Sequence, residues 1–101
     1  MGRPRHTKKD TTHKDIVQEC RELGMIVWDT ADIGGEILDL MIFWRGRAVP
    51  VEVKSKGSAK NLTEGEREGI EKLESVGIYP VIATDIQDIL DAFEQKGVFI
   101  D

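Results

Sequence analysis

The segment that most restricts the fold of this chain begins at Ile37 and reads ILDLMIFWRGRAVPVEVK. Charged side chains interrupt two apolar runs that are otherwise typical of β-strands. Between the runs, Arg45-Gly46 can serve as a two-residue hairpin turn, in which Trp44 faces Arg47. The segment therefore predicts an antiparallel hairpin with charged residues inside its strands.

This hairpin register places Asp39 directly opposite Glu52, on the same face of the sheet. Directly opposed residues have Cβ atoms ~4.5–5.5 Å apart, and like charges held there repel each other. Lys54 follows Glu52 by two positions, so the period of two directs its side chain to the same face. Two carboxylates and an ammonium on one rigid hairpin favour a divalent-metal site beside a phosphate-binding cation, as metal-dependent phosphodiesterases have.

The remaining patterns predict helices and strands on both sides of the hairpin. Thr63 and Glu66 form a T-x-x-E capping box for a helix. Pro50 lies inside the second hairpin strand and cannot donate to a ladder, so its nitrogen must face an unpaired edge or a bulge. The predicted elements are a helix over 12–23, strands over 25–28, 37–44, 47–54 and 79–83, a helix over 63–76, and a helix that begins at 85–88 and ends at Gly97. This α-β-β-β-α-β-α order predicts an α/β domain around one small mixed sheet.

Length and composition are those of one globular domain. The chain has 101 residues, 33% of them charged and 40% hydrophobic, which predicts a single domain over 12–101 behind a basic, flexible tail over 1–11. No apolar run approaches the ~20 residues that cross a bilayer. No secretory signal is apparent, and the lone Cys20 excludes an internal disulfide. We therefore expect a cytoplasmic protein.

Positive charge is concentrated in two places although the net charge is −5. Residues 1–14 and 45–60 each contain five basic residues and one acidic residue. Local fields decide where a polyanion binds, so these regions are candidates for contacts with the DNA backbone; an ordinary solvated tail and loop is the alternative. The candidate phosphate contacts are Arg3, Arg5, Lys8, Lys9, Lys56 and Lys60.

The carboxylates Asp39 and Glu52 are the candidate metal ligands. A buried carboxylate must be paired, protonated or bound to a cation, and Mg²⁺ or Mn²⁺ prefers oxygen ligands. The Val53 carbonyl would be a further ligand, and Lys54 would stabilise charge on the phosphate or position the attacking water. The structural alternative is an ion pair of Asp39 with Lys54, Arg45 or Arg47.

The combination of Asp39 with Glu52-Val53-Lys54, after Gly34-Gly35 and before a helix, resembles the PD-(D/E)xK nuclease superfamily. It is most similar to the small stand-alone virus-type replication-repair (VRR-NUC-like) nuclease domains and to Holliday-junction resolvases. The resemblance implies a restriction-endonuclease-like core, α-β-β-β-α-β plus a C-terminal helix. It implies a Mg²⁺- or Mn²⁺-dependent endodeoxyribonuclease, a homodimer that acts on DNA, including branched or four-way-junction DNA. A bacterial or phage origin would fit.

Three further residues are catalytic candidates by this resemblance. His13 occupies the position where many members have a first-helix Glu or Gln, and Glu19 is the nearest alternative carboxylate. Glu66 falls where the family often has a second-helix Gln. For each, a plain structural role is the alternative: an unassigned tail histidine, a helix-surface glutamate and a capping-box residue. Leu38 replaces the family's proline before the aspartate, which is not itself a ligand.

Two other functions remain open at this point. One is a nuclease-derived DNA-binding or assembly module without turnover, which the departures at His13 and Leu38 favour. The other is a structural interaction protein in which the charged trio is a buried salt bridge. Few aromatic residues are available to stack bases, so Trp28 and Trp44 are expected in the core or at a dimer interface.

Overall fold

The described part of the chain, residues 8–100 with side chains from residue 11 onward, forms an α/β structure in this computed structural model. The elements are α1 (Lys8–Glu22), β1 (Ile26–Asp29), β2 (Leu40–Trp44), β3 (Arg47–Val53), α2 (Glu64–Ser75), β4 (Val81–Ala83) and α3 (Ile86–Gln95). The predicted order is confirmed. Within these residues no helix has the length and apolar character needed to cross a membrane.

The four strands form one mixed sheet in the order β1-β2-β3-β4. The first three strands are antiparallel, and β4 pairs with β3 in parallel. Trp44 faces Arg47 and Leu40 faces Val51, as the hairpin register predicted. Arg45 and Gly46 have φ angles of 49° and 80°, the positive values that a type I′ turn requires. The small mixed sheet of the predicted fold class is therefore present.

Pro50 is accommodated in β3 without a break in the register, where it faces Met41. The Val53 N–H points toward β2 and the Lys54 N–H toward Ala83 of β4. Alternation along the strand then directs the Pro50 nitrogen to the β4 side, where pairing begins only at Val51. The missing donor thus faces an unpaired edge, as predicted.

One face of the sheet is buried under α1 and α3, which also contact each other. Inward-facing strand residues meet apolar residues of both helices there. The core contains Ile16, Val17, Cys20, Val27, Leu40, Ile42, Val49, Val51, Val53, Ala83, Ile89, Ala92 and Phe93. Trp44 packs edge-on against Phe93, with ring centroids 5.5 Å apart, so its expected core position is confirmed. For Trp28 the core expectation is wrong, because this side chain is 61% exposed on the opposite face.

On that opposite face, α2 packs against the loop that precedes β2. A Cβ atom built on Gly69 would lie 2.0 Å from the Glu36 carbonyl oxygen, and one built on Gly65 would lie 2.8 Å from that of Gly35. Both helix glycines therefore permit a close approach that alanine would block. This contact explains why α2 tolerates two glycines that cost roughly 1 kcal/mol each relative to alanine.

Some boundaries differ from the predicted ones. The first helix begins at Lys8 instead of residue 12, because lysines are good helix formers and the threonines expected as caps lie inside the helix. Part of the predicted 1–11 tail is thus helical. The strand β2 begins at Leu40 instead of residue 37, and β4 begins at Val81 instead of residue 79.

Candidate active site

The open end of the β2–β3 hairpin begins with Asp39, which is half-buried and immediately precedes β2. Its backbone carbonyl accepts a hydrogen bond from Thr30, and its Oδ2 accepts one from the Val53 N–H at 2.9 Å. The Leu38 carbonyl is bound by the Thr30 hydroxyl. Ladder pairing between β2 and β3 ends at Leu40 and Val51, and here the Asp39 carboxylate accepts from the Val53 N–H in place of a ladder bond. Asp39 and Glu52 are the next positions on the two strands, and the charge of Asp39 acts on Glu52.

Glu52 is a carboxylate inside the protein, with 1% of its surface exposed. Burial raises its pKa to about 8, and a hydrogen bond shared with Glu66 and the charge of Asp39 act in the same direction. The nearby Lys54 lowers the pKa, but not enough to offset burial. The Glu52 Oε2 atom has no hydrogen-bond partner among the described residues, although it is fully buried.

Lys54 is a buried ammonium, 4% exposed, placed between two carboxylates. Its Nζ donates to Glu66 Oε1 at 2.9 Å and lies 3.7 Å from Glu52 Oε2. The predicted proximity of Glu52 and Lys54 is therefore present. The contact with Glu66 was not predicted, since nothing in the local sequence relates the first turn of a helix to a strand end twelve residues earlier.

Glu66 performs two tasks at once. It completes the predicted capping box, in which its Oε1 accepts from the Thr63 N–H at 2.9 Å and its own N–H donates to Thr63 Oγ1. Burial by itself would raise the pKa of Glu66. Hydrogen bonds with Glu52, Lys54 and the Thr63 backbone instead lower that pKa to about 2. Glu66 therefore stays ionised and anchors the Lys54 ammonium.

The acidic pair offers oxygen ligands of the kind that a divalent cation prefers. Within residues 8–100, no group of three or more His, Cys, Asp or Glu side chains is arranged to hold a metal ion. Mg²⁺ commonly uses only one or two carboxylates and completes its shell with water and phosphate oxygens. The unpartnered Glu52 Oε2, the Asp39 carboxylate and the carbonyl of Val53 are the donors such an ion would use.

A polar cleft of about 600 Å³ opens beside Asp39 and Val53. His13 of α1 lies in its wall, and His13 Nε2 is hydrogen-bonded to Asp29 Oδ2 at 2.9 Å. Burial would raise the pKa of Asp29, but hydrogen bonds with His13 and Ala31 lower it. His13 thus lines the same cleft as Asp39, but its Nε2 atom is already used to join α1 to β1.

The other candidate residues are not brought into this cluster. Glu19 is exposed on α1 and lies outside the cleft wall. Lys56 is exposed and pairs with Asp85 at 3.4 Å, and Lys60 is exposed. Arg3 and Arg5 lie outside the described residues, and Lys8 and Lys9 open α1.

The hairpin arginines are used at the other end of the hairpin. Arg47 Nε donates to the Lys96 carbonyl at 2.8 Å, and Arg45 donates to the Phe99 carbonyl. The Arg45 guanidinium also lies over the Trp44 ring, 4.5 Å from its centroid. Neither arginine pairs with Asp39, which takes part in no ion pair within the described part of the chain. The structural alternative, an ion pair of Asp39 with Lys54, Arg45 or Arg47, is therefore absent among the described residues.

Comparisons of the chain with protein-family models, with curated proteins and with solved structures found no match. A function for this cluster therefore has to be inferred from its own chemistry. That chemistry consists of a buried carboxylate with an unsatisfied oxygen, a second carboxylate opposite it and a buried ammonium beside both.

Proposed function

We propose that this chain is a Mg²⁺- or Mn²⁺-dependent endonuclease that hydrolyses phosphodiester bonds in DNA, built on a restriction-endonuclease-like core of the PD-(D/E)xK type. The observation that supports it most is the buried Glu52, whose Oε2 has no hydrogen-bond partner within residues 8–100 and lies beside Lys54. Leaving a buried charged or polar atom unsatisfied is costly. Such a cost is understandable where a ligand supplies the missing contact.

Each residue would have a separate role in this reaction. Asp39, Glu52 and the Val53 carbonyl would hold the cation. A divalent ion bound there would supply a water of lowered pKa and neutralise charge on the phosphate. Lys54 would bind a nonbridging phosphate oxygen and stabilise the charge that develops as water adds to phosphorus and the P–O bond breaks. Glu66 would position Lys54, since it already accepts a hydrogen bond from the ammonium.

The partners would follow from the same chemistry. A domain of this size covers little DNA, so we propose a homodimer acting in the cytoplasm on duplex or branched DNA. Basic residues at the start of the chain and near α2 would neutralise phosphates without reading sequence. They are Arg3, Arg5, Lys8, Lys9, Lys56 and Lys60.

Cleavage assays with variants test this function directly. Purified protein is incubated with supercoiled, linear and four-way-junction DNA in Mn²⁺, in Mg²⁺ or in EDTA. Asp39→Ala and Glu52→Ala should each reduce metal-dependent cleavage by roughly 10³-fold, since lost cation contacts amount to several kcal/mol of transition-state stabilisation. Glu94→Ala, which removes an exposed carboxylate of α3, is the matched control. Cleavage retained by pure Asp39→Ala protein would contradict the proposal.

Thermal unfolding tests the cation without any substrate. A ligand that binds only the folded state stabilises it, so Mg²⁺ or Mn²⁺ at a hundred-fold excess over Kd should raise Tm by roughly 10–20 °C. Glu52→Gln should abolish this rise, and Glu94→Ala should leave it intact. An equal rise in all three proteins would place the ion elsewhere.

A second candidate is a DNA-binding or assembly module of the same origin that does not turn over. The engagement of His13 by Asp29 favours it, because this nitrogen would have to leave Asp29 to act on water. This module would bind DNA equally well with and without EDTA and would not cleave in Mn²⁺. The cleavage assay above therefore separates the two candidates.

A further inference from the structure

The sheet face that bears Asp39 and Glu52 continues into an apolar groove. Alternation places Met41 on the same face as Asp39, and Pro50 on the same face as Glu52. Beyond them, α2 leaves the sheet uncovered, and a groove of about 500 Å³ remains. Its lining includes Trp28, Met41, Pro50, Leu73 and Ile78.

Trp28 is the exposed aromatic residue of this groove, with 61% of its surface accessible. Its ring meets Phe43 edge to face, with centroids 4.8 Å apart and an interplanar angle of 65°. Edge-to-face packing is a favoured aromatic geometry that fixes the ring and occupies at most one of its two faces. The Trp28 ring is thus fixed in orientation and offers a flat surface on which another ring could stack.

The register places this surface next to the acidic pair. Trp28 faces Met41, so Asp39 is its diagonal neighbour on the adjacent strand. Diagonal neighbours in an antiparallel pair lie about 7–8 Å apart. The Trp28 ring packs against Phe43, its other diagonal neighbour, so a base stacked there would belong to a nucleotide beside the one whose phosphate reaches Asp39.

The charges at the groove favour an anionic occupant. Lys72 and Lys96 line it, against the single carboxylate of Glu36. Glu36 Oε1 pairs with Lys72 Nζ at 2.6 Å, and within the described residues Lys96 has no ion-pair partner. An occupant with a flat apolar ring and an anionic backbone matches both the groove wall and this excess of positive charge.

From these observations we infer that the groove binds an unstacked base of a nucleic-acid strand, with Trp28 as its stacking surface. The inference rests on the proposed function and narrows its substrate to DNA with single-stranded or unpaired nucleotides near the cut. Base–aromatic stacking needs a base outside the duplex stack. An intact duplex cannot supply that base and gains nothing from Trp28.

Binding measured in EDTA tests this inference separately from catalysis. Fluorescence anisotropy follows a labelled thymidine oligonucleotide and a duplex of equal length at one salt concentration. Trp28→Ala should weaken single-strand binding roughly 5- to 150-fold, the loss typical of one stacked base, and should leave duplex binding unchanged. Trp28→Phe should recover most of the affinity. Tyr79→Ala is the matched control, since Tyr79 is also 61% exposed but does not line the groove.

Tryptophan emission reports the contact itself. In a Trp44→Phe background Trp28 is the only tryptophan of the chain, and its emission should be quenched by the unlabelled thymidine oligonucleotide. Tm values of all variants show whether each one is folded. Wild-type affinity in folded Trp28→Ala, an equal loss in Tyr79→Ala, or unchanged emission would overturn the inference.

Two further outcomes distinguish base stacking on Trp28 from a dimer interface and from DNA hydrolysis. If Trp28→Ala converts a wild-type dimer to a monomer in sedimentation, the groove is a contact between copies of the chain and the inference fails. If single-strand binding depends on Trp28 but the wild type cleaves nothing in Mn²⁺, base stacking stands and hydrolysis fails. The proposed function and its substrate class are thus judged by different measurements.

Discussion

The two ends of the β2–β3 hairpin differ in the burial and hydrogen bonding of their charged residues. At the turn, Arg45 and Arg47 are exposed and donate to backbone carbonyls after α3. At the open end, Glu52 and Lys54 are 1% and 4% exposed, and one Glu52 oxygen has no hydrogen-bond partner among the described residues. Exposed, satisfied charges contribute little to stability, whereas a buried polar group that is incompletely hydrogen-bonded is a cost. The comparison indicates that the turn end is built for folding and the open end for a ligand.

The largest effect is expected from Gly69→Ala. This substitution disturbs only the contact between α2 and the loop before β2, at the open end of the hairpin. The new Cβ would lie 2.0 Å from the Glu36 carbonyl oxygen, so α2 must move away from the loop. We expect a loss of about 3 kcal/mol in the free energy of unfolding, although alanine is the better helix former. Denaturant titration measures the loss.

Gly65→Ala is the graded control for this variant, because its Cβ would approach Gly35 less closely, at 2.8 Å. It should cost less than Gly69→Ala. Near-UV circular dichroism from Trp44 against Phe93 should be unchanged in both folded variants, since the turn end does not depend on α2. A stabilised Gly69→Ala protein would show that α2 does not need this close approach.

Glu66 allows the two tasks of one carboxylate to be separated. Glu66→Ala removes the capping contact, for about 1 kcal/mol of stability, and the hydrogen bond to Lys54. Under the proposed function, cleavage should fall roughly 10- to 100-fold, as is typical when a supporting residue around a metal site is lost.

Glu66→Gln retains an oxygen that can accept from both Thr63 and Lys54. Glu66→Gln should therefore restore most of the stability that Glu66→Ala loses. It should also restore most of the lost kcat, with a smaller effect on KM. Equal cleavage by Glu66→Ala and wild type would show that Lys54 needs no anchor.

The pH dependence of stability separates the two ends in the metal-free protein. Because the folded pKa of Glu52 is raised to about 8, the folded state binds more protons than the unfolded state between about pH 4.5 and 8. Stability from Glu52 is therefore present below that window and is lost as pH rises through it. The lowered pKa of Glu66 acts in the opposite sense and costs stability only as pH falls toward 2.

We expect Tm in EDTA to be at least about 5 °C higher at pH 5 than at pH 8, the shift that about 1 kcal/mol gives in a domain of this size. Glu52→Gln should remove most of the difference, and Arg47→Ala should keep it. A wild-type Tm that rises between pH 5 and pH 8 would show that Glu52 is ionised without metal.

The smallest effect is expected at the turn end. Arg47→Ala removes the hydrogen bond to the Lys96 carbonyl, which is solvent-accessible, so it should cost only about 0.5–1 kcal/mol. Cleavage and the Tm response to Mg²⁺ should match the wild type. Any large loss of cleavage in this variant would mean that the two ends of the hairpin are coupled.

Much of the hairpin could be predicted from sequence because its determinants are local. Arg45-Gly46 sets the turn, and the turn sets a register that ends at Leu40 and Val51, the positions next to Asp39 and Glu52. The capping box at Thr63 was equally accessible, since its two members are three residues apart. In each case the interacting groups are neighbours in the chain or are fixed by one turn.

The features that could not be predicted depend on contacts between distant segments. Lys54 meets Glu66 only because the first turn of α2 folds back against the end of β3. The late start of β2 arises because the Asp39 carboxylate occupies the Val53 N–H in place of a ladder bond. Gly65 and Gly69 lower the helix propensity of α2, which indicates that tertiary packing holds this helix. The glycines do not identify Glu36 as the partner, because that contact joins distant segments.

The two contacts of Glu66 link the proposed cleavage activity to the folding of α2. The oxygen that holds the Lys54 ammonium also completes the start of α2, so the ammonium is anchored only after that helix has formed and docked. Under the proposed function, a nascent or damaged chain would lack the anchored Lys54 and would not cleave the DNA around it. Cleavage of DNA would then require that α2 has already folded.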